Sequence, residues 1–328
     1  MIGEIILPFA ALGGLGLVLG LGLAVASKLL AVKVDPNIEK VRDLLPGANC
    51  GGCGYPGCDG FAKSVVEGEA EVGKCTVLSD DNLNAIADLL GVEASIGKRR
   101  VARVLCRGDE ENCGHKFEYF GVSDCRAAAM LAGGPASCRF ACVGLLTCAK
   151  ACPFDAIYLN EHGIAAVHED RCTGCGRCAE ACPKDAIQVM DEDNIVYINC
   201  RNTDKGKAVM SVCKAGCIGC GLCAKKCPHG ALTMVDNLPV FDYDKCRNCG
   251  VCAVVCPKGS IAMKEPITEA AVIDEDSCIG CEQCKKACPT NAIKGKATEV
   301  HAVNPDKCAA CGECIEVCPA GAIEICEK

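Results

Sequence analysis

The chain writes C-x-x-C-x-x-C-x-x-x-C-P five times, starting at Cys172, Cys217, Cys246, Cys278 and Cys308. A sixth, damaged copy ends in Cys148-x-x-x-Cys152-Pro153. Thiolate is a soft ligand, suited to iron in a sulfide core. Three thiolates at i, i+3 and i+6 wrap a tight loop around one face of an iron–sulfur cubane. The fourth, beside a proline, starts a helix that points away and ligates the partner cluster. One such run also reads as a zinc site; five in one chain leave almost no room for that.

The motif starts fall in pairs. Cys142 and Cys172 are 30 apart, Cys217 and Cys246 are 29 apart, and Cys278 and Cys308 are 30 apart. This is the period of a two-cluster bacterial ferredoxin, read three times. After each Cys-Pro comes a small residue and then a branched apolar one: Ala156-Ile157, Ala186-Ile187, Ala231-Leu232, Ser260-Ile261, Ala292-Ile293 and Ala322-Ile323. Such a pair packs under a cluster as the chain turns into a short strand. Each module is expected to be a βαββαβ-like pair with pseudo-twofold symmetry.

Cross-ligation then follows. Cys278, Cys281, Cys284 and Cys318 form one set, and Cys308, Cys311, Cys314 and Cys288 its neighbour. Cys217, Cys220, Cys223 and Cys256 pair with Cys246, Cys249, Cys252 and Cys227. In the first module Cys172, Cys175, Cys178 and Cys152 form one set. The other has Cys142, Cys148 and Cys182, but Leu145 stands where a thiol is needed. Cys138, four residues before Cys142, is the expected substitute, and Cys213 stands four before Cys217 in the same way.

Upstream, Asp35-Pro36 reads as a helix N-cap with proline at the first helical position. Cys50, Cys53, Cys58 and Cys75 follow in a glycine-rich segment. Four thiols without histidine suit a cubane or zinc; the company they keep favours the cubane. Seven clusters use 28 of the 34 cysteines. Cys106, Cys113 and Cys125 either hold an eighth cluster, with Cys138 or Cys200 as fourth ligand, or are buried free thiols. Cys200, Cys213 and Cys326 have no assigned role.

The uncharged run Ile5 to Ala26 is long enough to cross a bilayer as a helix. Glu4 precedes it, and Lys28 and Lys33 follow it. The positive-inside tendency then puts the rest of the chain in the cytoplasm. Ala24-Val25-Ala26 resembles a signal-peptidase site, but the leading segment has no positive charge. Export would also carry the thiols into an oxidising space. A retained single-pass anchor in the cell (inner) membrane is expected.

Of 328 residues, 4% are aromatic and none is Trp, so small modules folded around metal are expected rather than one large core. The formal charge is −8 with neutral thiols, and seven four-thiolate cubanes would add about −14. Nucleic acid is excluded as a partner by that charge. Lys225, Lys226, Lys285 and Lys286 either receive an acidic carrier locally or are solvated helix faces. The chain has no dinucleotide fingerprint and no phosphate loop. Its five histidines have no metal-ligand spacing.

An apolar N-terminal helix, the four-cysteine domain and a C-terminal motif pair together resemble the B subunit of the Rnf complex, a membrane-bound, ion-translocating ferredoxin:NAD+ oxidoreductase. Residues 1–90 and 270–328 carry the resemblance; 95–265 look like an extended, cluster-rich version. The resemblance implies an electron-relay subunit with no complete active site of its own. It would accept electrons from reduced soluble ferredoxin and pass them to flavin/NAD and integral membrane subunits. A membrane-anchored polyferredoxin serving a hydrogenase or low-potential reductase, and a zinc storage protein, are the competing readings.

The expected fold is α+β. A transmembrane anchor (1–27) precedes a 4Fe–4S domain (28–94) and a cysteine-containing linker (95–137). Three ferredoxin-like modules follow (138–195, 196–265 and 266–328).

Overall fold

The computed structural model describes residues 2–29, 35–93 and 97–328, with first-helix side chains from Leu12 to Lys28. Helix α1 spans Ile2–Leu29. Its apolar side chains are exposed along the described stretch, Leu12 and Leu23 by 71% and 73%. Among the described residues no helix is long and apolar enough to cross a membrane. Lys33, one of the two expected basic flanks, lies outside the described residues.

Helix α2 (Pro36–Leu44) begins as expected: the Asp35 carboxylate accepts from the Asn37 N–H at 2.8 Å, with Pro36 in the first turn. Helices α3 (Gly57–Val66) and α4 (Asp80–Leu90) close a small bundle. Val41, Phe61, Leu83 and Ile86 fill its core. Full burial of such a side chain contributes about 1.5–3 kcal/mol. Cys58 lies in that core, and the half-buried Cys53 and Cys75 pack against it.

The remaining chain repeats one pattern three times: strand, helix, two strands, helix, strand. In the first module β1 (Arg100–Val104) pairs antiparallel with β4 (Ile187–Asp191), and β2 (Ile157–Leu159) with β3 (Ala165–Val167). Its helices are α5 (Cys125–Met130), α6 (Thr147–Lys150) and α7 (Arg177–Ala181).

The second module pairs β5 (Val196–Ile198) with β8 (Ile261–Met263), and β6 (Leu232–Val235) with β7 (Leu238–Phe241). It carries α8 (Gly206–Val212), α9 (Leu222–Lys226) and α10 (Val251–Val254). The third pairs β9 (Glu269–Ile273) with β12 (Ile323–Glu327), and β10 (Ile293–Lys294) with β11 (Ala302–Val303). Helices α11 (Gln283–Ala287) and α12 (Glu313–Glu316) complete it.

The first strand of the first module lies in the segment read from sequence as a linker. Module one therefore begins at Arg100, and residues 105–140 are an insertion between its first strand and its first cysteine run. Arg103 on β1 fastens the first module to the second. It is 3% exposed, donates to the Glu192 carbonyl at 3.1 Å and stacks 4.6 Å from the Tyr197 ring centroid. Glu169 stands between Arg103 (3.6 Å) and Lys264 (2.6 Å).

The six short helices that carry the third cysteine of a run are set by one backbone feature. The residue before each is left-handed: Gly176 (φ 83°), Gly221 (69°), Gly250 (73°) and Gly312 (81°). Leu146 and Glu282 adopt the same conformation at φ 56° and 59°. Non-glycine residues are strained there, and such strain persists where the surroundings over-determine the turn.

Candidate iron–sulfur centres

Each left-handed turn hands the chain to a helix whose second residue is the third cysteine of a run. Cys148, Cys178, Cys223, Cys252, Cys284 and Cys314 are all buried. The proline after the fourth cysteine stops the helix, since it has no N–H to donate. The chain then turns so that the small residue at i+4 points its N–H back at that sulfur. Ala186, Ala231, Ser260 and Ala292 donate to Cys182, Cys227, Cys256 and Cys288 at 3.2–3.4 Å. The small and branched residues of every tail are buried as expected, from 0% at Ala186 to 9% at Ile157.

The sulfurs gather across the halves of each module. The thiolates acting on Cys178 are Cys172, Cys175, Cys148 and Cys152. Those acting on Cys252 are Cys249, Cys246, Cys223 and Cys227. Cys314 is surrounded by Cys311, Cys308 and Cys288, and Cys284 by Cys281, Cys278 and Cys318. Cys223 neighbours Cys256 and Cys220. In the N-terminal domain Cys75 neighbours Cys53 and Cys50. In the second and third modules the fourth cysteine of each run joins the partner run, as cross-ligation requires.

Cavities mark three of these cages. Cys217, Cys220, Cys223 and Cys256 line one. Cys288, Cys308, Cys311 and Cys314 line a second. Cys278, Cys281, Cys284 and Cys318 line a third. Among the described residues no three His, Cys, Asp or Glu side chains converge as a single metal ion requires. Four sulfurs lining one cavity suit a polynuclear core. When bound, such a cluster supplies one-electron exchange and leaves no open iron position.

Burial, and then neighbouring sulfurs, push the Cys148, Cys178, Cys252 and Cys314 thiols up to about 12. In the metal-free chain these groups are therefore protonated at neutral pH. Metal binding must displace those protons, which couples cluster uptake to pH.

Around the damaged run the structure gathers Cys125 rather than the expected Cys138. The charges acting on Cys148 come from Cys142, Cys125 and Cys182, and Cys125 also acts on Cys142. Cys125 opens α5 in the insertion, and its N–H donates to Thr147 Oγ1 at 2.7 Å, beside Cys148. Cys138 is not brought to this group; the charges acting on it are those of Cys200 and Cys213. Cys125 is likewise not brought to Cys106 and Cys113. Burial outranks all other causes in raising Cys138, while Phe140 and Asn202 lower it by hydrogen bonding.

His301 was also missed. It is 3% exposed, lines the cavity of Cys278, Cys281, Cys284 and Cys318, and neither ring nitrogen has a protein partner.

Cages neighbour one another at four places. Cys50 acts on Cys175, and a Cβ on Gly52 would stand 2.8 Å from Cys175 Cα. Cys148 acts on Cys178, and Cys223 on Cys252. Cys249 acts on Cys311, linking modules two and three.

Fold and site together define an iron–sulfur electron carrier of the polyferredoxin class. The putative Fe-S cluster family matches residues 45–77, and 4Fe-4S dicluster domain families match 139–189 with 271–325, 216–260 with 245–292, and 171–232. The chain is 42% identical over 247 residues to the B subunit of the Na(+)-translocating ferredoxin:NAD(+) oxidoreductase complex of Acetobacterium woodii, covering 75% of this chain and 74% of that protein. It is 39% identical to the B subunit of the ion-translocating oxidoreductase complex of Methanosarcina acetivorans, covering 75% and 93%. It is 42% identical to the B subunit of the proton-translocating ferredoxin:NAD(+) oxidoreductase complex of Clostridium ljungdahlii, covering 71% and 82%. A chain of a formate dehydrogenase–heterodisulfide reductase–formylmethanofuran dehydrogenase complex from Methanospirillum hungatei is 22% identical with a TM-score of 0.25, covering 54% of this chain and 73% of that one.

The chain belongs to the family of B subunits of the ion-translocating Rnf oxidoreductase complexes. It is an iron–sulfur electron-transfer subunit.

Proposed function

We propose that this subunit takes electrons from reduced ferredoxin and relays them to flavin/NAD and integral membrane subunits of a membrane-bound, ion-translocating ferredoxin:NAD+ oxidoreductase. The observation that carries the reading is the neighbouring of thiol cages, Cys50 with Cys175, Cys148 with Cys178, Cys223 with Cys252 and Cys249 with Cys311. Cages that abut in sequence make a path for single electrons. The chain supplies no nucleotide or flavin fingerprint, so the hydride step belongs to partner subunits. The two 42%-identical relatives name different ions, sodium and proton. That fits an ion path lying outside this subunit.

The uncharged run Ile5 to Ala26, whose side chains before Leu12 lie outside the described ones, serves as a single-pass membrane anchor, with the cages on the cytoplasmic side. Its exposed leucines from Leu12 to Leu23 have no protein covering, and no described side chain there is ionisable. Such a helix tethers without supplying a charged relay group.

Lys286, on α11 beside the Cys278 cage, is exposed and supports docking of an acidic carrier at the third module. Lys285 is engaged, donating to Glu282 at 3.1 Å and to the Gly295 carbonyl at 2.8 Å.

The test is anaerobic purification of the membrane complex through a tag on this chain. Flavin subunits should co-purify, and reduced ferredoxin should drive NAD+ reduction. Co-purification with hydrogenase subunits and no NADH would instead mark a polyferredoxin of another redox complex. Alkaline carbonate should leave the chain in the membrane fraction and release a variant lacking residues 1–27.

A further inference from the structure

We propose that Cys106, Cys138, Cys200 and Cys213 hold an eighth cubane-type iron–sulfur cluster, shared between the first and second modules. These four thiols line one cavity, as four motif cysteines line each of three others. No C-x-x-C run contributes to this one.

The four ligands are two pairs related by the repeat. After β1, Leu105 N–H bonds the Ala186 carbonyl at 2.7 Å, and Cys106 follows. After β5, Asn199 N–H bonds the Ser260 carbonyl at 2.7 Å, and Cys200 follows. Cys106 and Cys200 thus occupy the same place in their modules. The same holds for Cys138 and Cys213, each four residues before the first cysteine of a run. The third module makes the matching bond, Asp274 N–H to the Ala322 carbonyl at 2.8 Å. It then places Glu275 and Asp274 at the two positions.

The hydrogen bonds are those of ligating sulfurs. Cys106 Sγ accepts from Gly108 N–H at 3.3 Å and Cys142 N–H at 3.4 Å. Cys200 Sγ accepts from Asn202 N–H at 3.5 Å and Cys217 N–H at 3.3 Å. Cys138 Sγ accepts from the Asn202 side chain at 3.3 Å, and Asn202 is 2% exposed. Ser260 Oγ donates to the Ala215 carbonyl at 2.9 Å and so fixes the loop after Cys213.

Cys113 is the fifth thiol here. It is 1% exposed and accepts from Cys138 N–H at 3.3 Å, but it does not line the cavity. Its thiol hydrogen-bonds that of Cys213 and braces the cage through that ligand.

The location gives the site its role, and this part rests on the relay reading. The N–H of Cys142, a first-module ligand, bonds Cys106. The N–H of Cys217, a second-module ligand, bonds Cys200. The eighth cage therefore joins the first module's cages to the second's.

Iron and acid-labile sulfide are counted on the anaerobically purified full-length chain. The expected result is about 32 irons, against about 28 without this site. Cys200→Ser and Cys106→Ser should each lose about four irons and keep the other EPR signals, which also shows the variants folded. Cys113→Ser should keep the full count. Asn202→Leu should keep the iron and shift one redox midpoint.

A wild-type count near 28 overturns the proposal, as does loss of four irons from Cys113→Ser with none from Cys213→Ser. If the count falls in Cys200→Ser but ferredoxin-driven NAD+ reduction by the assembled complex is unchanged, the bridging role is overturned and the ligation stands. Absence of that activity from the wild-type complex, with the iron count intact, would instead fail the relay reading alone.

Discussion

His301 is a buried imidazole whose two nitrogens find no protein partner beside a cage of four thiols. A buried donor without a partner costs stability, so its natural acceptor is sulfur of the bound cluster. A net hydrogen bond of about 0.5–1.5 kcal/mol corresponds to about 20–65 mV for one electron. His301→Leu should lower one cluster's midpoint by that amount in an EPR redox titration without loss of iron. An unchanged midpoint would show that the ring only fills space.

The buried thiols give a second outcome at this scale. Their folded-state pKa of about 12 lies above the ordinary 9.0. The sign follows: the metal-free fold has its full stability below pH 9 and loses it as pH rises from 9 to 12, because the unfolded chain ionises first. Chemical denaturation midpoints of apo-protein across that range should fall. The metal-bound chain should behave oppositely at the acid end, releasing iron as its thiolates reprotonate. The motif cysteines were legible from sequence because i, i+3 and i+6 spacing writes a local loop. His301 was not, because its neighbours come from the opposite half of the module.

At the scale of elements, the insertion between β1 and α6 is what the sequence reading could not place. Cys138 stands four residues from Cys142 and so reads as the local substitute for Leu145. The fold instead brings Cys125 in from α5 and turns Cys138 toward the second module. Nearness along the chain was the wrong guide, because the outer strand β1 anchors the insertion to β4 and lets it loop back over Cys148. The usable signal was the parallel between Cys138 and Cys213, which marks a shared position and not a repair. Cys125→Ser should cost about four irons, and adding Leu145→Cys to it should restore them, since Leu145 holds the motif's own ligand position. Iron retained in Cys125→Ser alone would return Cys138 to the first module. The βαββαβ order and the small–branched tails were legible, because the pleat and the tight approach to sulfur each admit few residue types.

At the scale of the whole molecule, Gly52 controls one end of the path. A side chain there meets the Cys175 backbone at 2.8 Å, closer than real Cβ contacts allow. Gly52→Val should push the N-terminal domain off the first module while leaving the iron count unchanged. Spin–spin broadening between the two reduced clusters should weaken, and ferredoxin-driven NAD+ reduction should slow. Unaltered broadening and rate would remove this contact from the route.

The interleaving of halves has a consequence for how such a chain can lengthen. Because the fourth cysteine of one run completes its neighbour's cage, a lone copy gained by gene duplication would arrive with an open cage and would open another. Growth is therefore viable in twos. A copy that loses a thiol persists only where an inserted loop brings a replacement, as Cys125 does beside Leu145.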